Sequence, residues 1–153
     1  MRVFICSYSG FSLAIPIENV ASIFINSKNI YNKIQIDEEN KSTYISLPVI
    51  FNSPDSRIHH GIILKNLSFC NSGDDEKIIL LSSEIICEQD IKKERFYSVP
   101  KIFGILNFSL VFNGIFFNQR SLGKSAVKNI PAGSLLLLLN PEQLVQNIKK
   151  ELI

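Results

Sequence analysis

Apolar side chains fall on every second position from Phe11 to Ile15, and before Ser9-Gly10 the run Val3 to Tyr8 is rich in β-branched and aromatic residues. That spacing predicts two strands joined as a hairpin. Pro16 interrupts the ladder, and after a polar turn at Glu18-Asn19 the chain resumes as a short β-branched and aromatic run, Val20 to Ile25. Tyr31 to Ile36 and Thr43 to Leu47 alternate again. The polar Asp37-Glu38-Glu39-Asn40-Lys41-Ser42 between them has the chemistry of an exposed hairpin loop. Gly61 to Lys65 and Lys77 to Cys87 flank Asn71-Ser72-Gly73-Asp74-Asp75, which predicts a further hairpin.

Residues 88 to 101 are polar and charged and read as a loop marking the passage between two halves of the structure. Phe103 to Gln119 is rich in aromatics and β-formers and contains Asn113-Gly114. A basic loop through Arg120, Lys124 and Lys128 follows, and Gly133 launches a last strand containing the aliphatic run Leu135 to Leu139. Only the tail predicts a helix. Asn140 can cap it, Pro141 suits its first position, Gln143 can complete a capping box, and Leu144, Ile148 and Leu152 share one face. Many short strands with one terminal helix imply an all-β barrel or sandwich.

The chain has 153 residues, 46% of them hydrophobic, enough for one compact unit with a real core. Sixteen basic and fourteen acidic residues give a formal net charge of +2 with no long block of one sign, so charge offers no argument for nucleic acid. The strand pattern starts almost at Met1 with no leader-like stretch before it, and Leu135 to Leu139 is far shorter than the roughly 20 residues of a membrane span. Cys6, Cys70 and Cys87 are odd in number and widely spaced, without a C-x-x-C pair, which suits small core residues in a reducing compartment. A cytoplasmic location is the expectation, and there the sequons at Asn40, Asn66 and Asn107 carry no meaning.

Candidate chemistry is sparse. Gly123-Lys124-Ser125 is similar to the end of a phosphate-binding loop, but Asn118 stands where that motif needs glycine, and Ala126 to Pro131 is too short for the helix that must follow. His59 and His60 are adjacent, and in a strand they point to opposite faces, so they cannot converge on a metal. Asp37-Glu38-Glu39 and Asp74-Asp75-Glu76 lack the spacing of a calcium loop. Lys92-Lys93 with Arg95 is balanced by Glu88, Asp90 and Glu94. No constellation for acid–base or nucleophilic catalysis emerges, and no cofactor or metal is expected.

Three segments, in order across nearly the whole chain, resemble the CheW family of chemotaxis coupling proteins. The first is Phe4 to Tyr8 with Phe11 to Ile23, where Val20 and Ile23 match a "V-x-E-I" element and Ser22 stands at the glutamate. The second is Ile45-Ser46-Leu47-Pro48-Val49-Ile50-Phe51, similar to "I-D-L-x-x-L-F", followed by a strand pair that includes Ile78 to Leu81. The third is Asn113-Gly114-Ile115 with Leu136 to Val145, which resembles a glycine strand, an "L-L-D/N" strand end and a short helix.

The resemblance implies two small SH3-like five-stranded β-barrel subdomains intertwined in one domain, a short C-terminal helix, no cofactor and no catalysis. It implies two partners, the regulatory domain of a histidine kinase and the cytoplasmic tip of a chemoreceptor. The partner-binding positions it assigns are Ile17, Val20, Ser22, Ile23, Ile45 and Leu47, with Val20 and Ile23 on the kinase side. One departure is clear: the family's "N-L-R-G" turn is replaced by Asp37 to Lys41, without the arginine. Two rival readings are a small-ligand-binding β-barrel with an apolar cavity lined by Phe103 to Phe117, and a hydrolase using His59 or His60.

Overall fold

In the computed structural model, residues 1–8, 11–25, 34–39, 41–46, 60–65, 67, 77–82, 84–98, 111–118 and 135–151 are described. They form ten strands, two single turns of 3-10 helix and one α-helix. The strands are β1 (Arg2–Tyr8), β2 (Phe11–Pro16), β3 (Val20–Ile25), β4 (Ile34–Asp37), β5 (Ser42–Ser46), β6 (His60–Leu64), β7 (Lys77–Ser82), β8 (Glu84–Asp90), β9 (Phe112–Phe117) and β10 (Leu135–Leu139). The helix α1 spans Pro141–Glu151.

Two five-stranded sheets result, with orders β8-β1-β2-β10-β9 and β3-β6-β7-β5-β4. The expected hairpins all form antiparallel: β1 with β2, β4 with β5, and β6 with β7. Two parallel pairings, β2 with β10 and β5 with β7, then join segments distant in sequence. The chain leaves the first sheet through the 3-10 turn Ile17–Asn19 and returns between Ser82 and Glu84.

That return corrects the expected boundary. Lys77 to Cys87, read as one strand in sequence, is two strands in different sheets, and residues 88–90 belong to β8 rather than to a loop. The break is marked by Ser82, fully buried, whose hydroxyl donates to the Ser7 carbonyl of β1 at 2.9 Å. A buried hydroxyl must find an acceptor, and this one finds it in the other sheet, so the crossover is pinned where it occurs.

Burial explains the unbroken aliphatic runs. Leu137 and Leu139 of β10 enter a large cluster with Leu13 and Ile15 of β2 and with Ile45, Ile62 and Leu80 of the other sheet. Leu136 and Leu138, on the opposite face, pack with Val3, Ile5, Ala14 and Phe116 in a second cluster. In β7, Ile78 and Leu80 face the shared cluster while Ile79 and Leu81 meet Tyr44 in a third. A strand covered on both faces loses the apolar–polar alternation. At about 1.5–3 kcal/mol for each large side chain removed from water, this double burial is the main stabilising contribution.

Close approach fixes one glycine. A Cβ on Gly61 would run into the Phe24 ring, which lies across β6 from the neighbouring strand. The helix begins as its sequence predicts: the Asn140 side-chain oxygen accepts from the Gln143 backbone N–H at 3.2 Å. Its buried side is Leu144 and Val145, both in the shared cluster. Ile148's side chain and Leu152 lie outside what is described.

Cys6 sits fully buried on β1, and burial pushes its thiol up from 9.0 to about 12, with a hydrogen bond to the Ser82 side chain pulling the other way. The folded state therefore holds this proton more tightly than the unfolded chain does, and stability must fall as pH rises from about 9 towards about 12. Denaturant midpoints measured across that range should decline, and Cys6→Ala should flatten the decline; an unchanged slope in the variant would refute this reading.

Candidate docking surface on an edge strand

The 3-10 turn Ile17–Asn19 delivers the chain from β2 to β3 and is held at its end by two bonds to Lys65. The Lys65 backbone N–H donates to the Asn19 carbonyl at 2.9 Å, and the Asn19 side-chain amide donates to the Lys65 carbonyl at 3.1 Å. From this anchor β3 runs along the edge of its sheet, paired to β6.

Its register contains one extra residue. Val20 pairs with Leu64 and Ser22 with Ile63, so Ala21 is a bulge. Without it, positions three apart would point to opposite faces. With it, Val20 and Ile23 both turn inward and pack, half-buried, against the shared core. Ala21, Ser22 and Ile25 are exposed, Ile25 by 80%. The spacing of Val20 and Ile23 is thus that of two core-facing positions around a bulge.

Of the six positions expected to bind a partner, four fall on this 3-10 turn and β3. Ile17 is half-buried in the 3-10 turn, Val20 and Ile23 are half-buried on β3, and Ser22 is exposed between them. Ile45 is corrected. It is fully buried on β5, inside the cluster shared by the two sheets, and offers no surface to a partner. Leu47 lies outside the described residues, as do His59, Cys70, Gly123-Lys124-Ser125 and the turn at Asn71 to Asp75.

An open cleft of about 380 Å³ adjoins the 3-10 turn, lined by Pro16, Glu18, Asn19, Asn113, Asn140, Pro141 and Glu142. Its far wall is tied together by the Asn140 side-chain amide, which donates to Asn113 at 3.1 Å. Glu38 and Glu39 are exposed in the turn that joins β4 to β5, with Lys41 in the left-handed region at φ 49°. His60 is half-buried on β6, opposite Ser82. Among the described residues no group of three or more His, Cys, Asp or Glu could hold a metal, and no helix is long and apolar enough to cross a membrane.

Sequence reasoning missed a second apolar surface. Tyr97, inside the stretch read as a polar loop, pairs with Ile115 through reciprocal backbone bonds of 2.7 and 2.8 Å. Its ring lies 6.2 Å from that of Phe117, and both are exposed, by 65% and 49%. Phe96 beside it packs on Phe116, whose ring also lies 4.7 Å under the Arg95 guanidinium. The signal was available in Phe96-Tyr97, an aromatic pair unusual in a solvated loop.

Compared with solved structures, the chain is similar to the scaffolding protein TtCheW from Thermoanaerobacter tengcongensis. The TM-score is 0.60 over 91% of this chain and 88% of that one, at 13% sequence identity. The chain has a CheW-like fold. No family model matches the sequence, and no curated protein matches it either. The likeness therefore lives in the architecture, a CheW-like frame of two sheets and a terminal helix.

The burial contrast within the six positions gives a direct expectation. Ile45→Ala should lower unfolding free energy by about 2–5 kcal/mol through cavity formation, whereas Ser22→Ala should stay within about 0.5 kcal/mol. Urea denaturation of both variants checks it, and equal losses would place Ser22 in the core.

Proposed function

We propose that this chain is a non-catalytic cytoplasmic scaffold that couples a chemoreceptor's cytoplasmic tip to the regulatory domain of a CheA-type histidine kinase. The observation that carries the reading is the CheW-like fold over 91% of the chain, with a scaffolding protein as its structural neighbour. In this reading the two sheets are a pair of SH3-like barrels within one domain. The exposed face of β3 supports the kinase contact, with Ser22 presented outward between Val20 and Ile23 and Ile17 half-buried in the turn before them. Tyr97 and Phe117, on the other sheet, supply a separate apolar surface, which suits a protein that must hold more than one partner.

The rival small-ligand reading finds less support. Phe112 and Phe116 are 5% and 2% exposed and belong to the packed clusters, while Phe117 faces out. Phe103 and Phe108 lie outside the described residues.

Titration of the chain with a CheA-type regulatory domain by calorimetry should give a dissociation constant in the micromolar range typical of transient signalling contacts. Ser22→Arg, which places a bulky charge on the outward face of β3, should weaken it at least roughly tenfold, about 1.4 kcal/mol, with the melting temperature unchanged. No heat of binding for the native chain, or an unaffected constant in the variant, would count against the kinase contact on β3.

A further inference from the structure

Each of the two sheets ends in two edge strands, and an unpaired edge invites another chain to add a strand. The four edges here are β8 and β9 in one sheet and β3 and β4 in the other. Among the described residues, the three register shifts in the ladders put the extra residue on an edge strand, Ala21 on β3, residue 86 on β8 and Asn113 on β9, and none on an inner strand. The fourth edge, β4, is only four residues long and ends in the acidic turn at Glu38 and Glu39.

The other two bulged edges have a second safeguard. β8 carries Glu84, Glu88 and Asp90 in its sequence, with Glu88 ion-paired to Arg2. β9 is covered at its midpoint by the backbone pairing of Ile115 with Tyr97. β3 has neither. Its six residues, Val20-Ala21-Ser22-Ile23-Phe24-Ile25, include no charge and no proline, and Ile25 is 80% exposed. Short apolar β-formers without charge are the composition most prone to edge-to-edge assembly.

We propose that the Ala21 bulge is the guard of this edge: by breaking the regular spacing of outward N–H and C=O groups, it keeps β3 of one copy from pairing with an exposed strand of another. The strand then stays open for recognition through side chains, and this role holds whether or not a kinase docks there. Removing Ala21 is a clean perturbation. Val20 opposite Leu64 and Ser22 opposite Ile63 already occupy successive alternating positions, so the deletion restores an uninterrupted ladder without turning any other side chain to the wrong face.

The test uses the full chain and measures mass by size-exclusion chromatography with light scattering over a concentration series, with amide correlation spectra to verify folding. The native chain should remain a monomer. The Ala21 deletion should fold and self-associate with rising concentration, and Ile25→Lys in the deletion background should return it to monomer by charging the edge. Ser22→Val, which keeps the bulge and adds only apolar surface, should stay monomeric. A folded, monomeric deletion variant would overturn the proposal. So would self-association of Ser22→Val, which is decisive even where the deletion fails to fold, because polarity rather than the bulge would then be the guard.

Discussion

The rest of this structure depends on one apolar cluster that belongs to neither sheet alone. Cys6, Leu13, Ile15, Leu137 and Leu139 from one sheet meet Ile45, Ile62, Ile78 and Leu80 from the other, and Leu144 and Val145 of the helix close over it. Because each sheet also carries its own cluster on its opposite face, the inner strands are covered on both sides and are largely apolar, β10 and Ile78 to Leu81 of β7 without a break. This packing is indifferent to the identity of the individual aliphatic residue, so long as volume and patterning are kept. It accounts for a chain that shares 13% identity with a structural neighbour and still follows it over 91% of its length.

With the interior taken up by packing, differences in function must be written on the edges. Inner strands can change little, whereas edge strands have one free side and tolerate irregularity. β3 shows how the two demands are combined. Val20 and Ile23 serve the core, Ala21 and Ser22 face water, and the bulge between them lets six residues do both. The 3-10 turn that leads into the strand is tied to Lys65, so the exposed face is carried by a rigid frame.

Much of this was legible in the sequence. Val3 to Ile15, Val20 to Ile25 and Ile34 to Ser46 read correctly because those strands alternate or end in strong turn chemistry, and Asn140-Pro141 announced the helix. The crossover after Ser82 was missed. Ser82-Ser83-Glu84 interrupts the aliphatic runs on either side, but a polar break does not say that the chain changes sheet there, and the tie that fixes it, Ser82 to Ser7, spans 75 positions. Ile45 was assigned to a partner by resemblance alone, which carries a position along the chain but not the burial of its side chain in this fold. Tyr97 was hidden by the charged residues before it, Lys92 to Arg95, although it covers an exposed strand edge.

The most direct test of the docking account is amide shift mapping of the labelled chain during titration with a CheA-type regulatory domain. The account predicts that the largest perturbations cluster at Ile17 and along Ala21, Ser22 and Ile25, leaving Ile45 and Leu80 of the core unmoved. Perturbations confined to other strands, or none at saturating kinase domain, would contradict it.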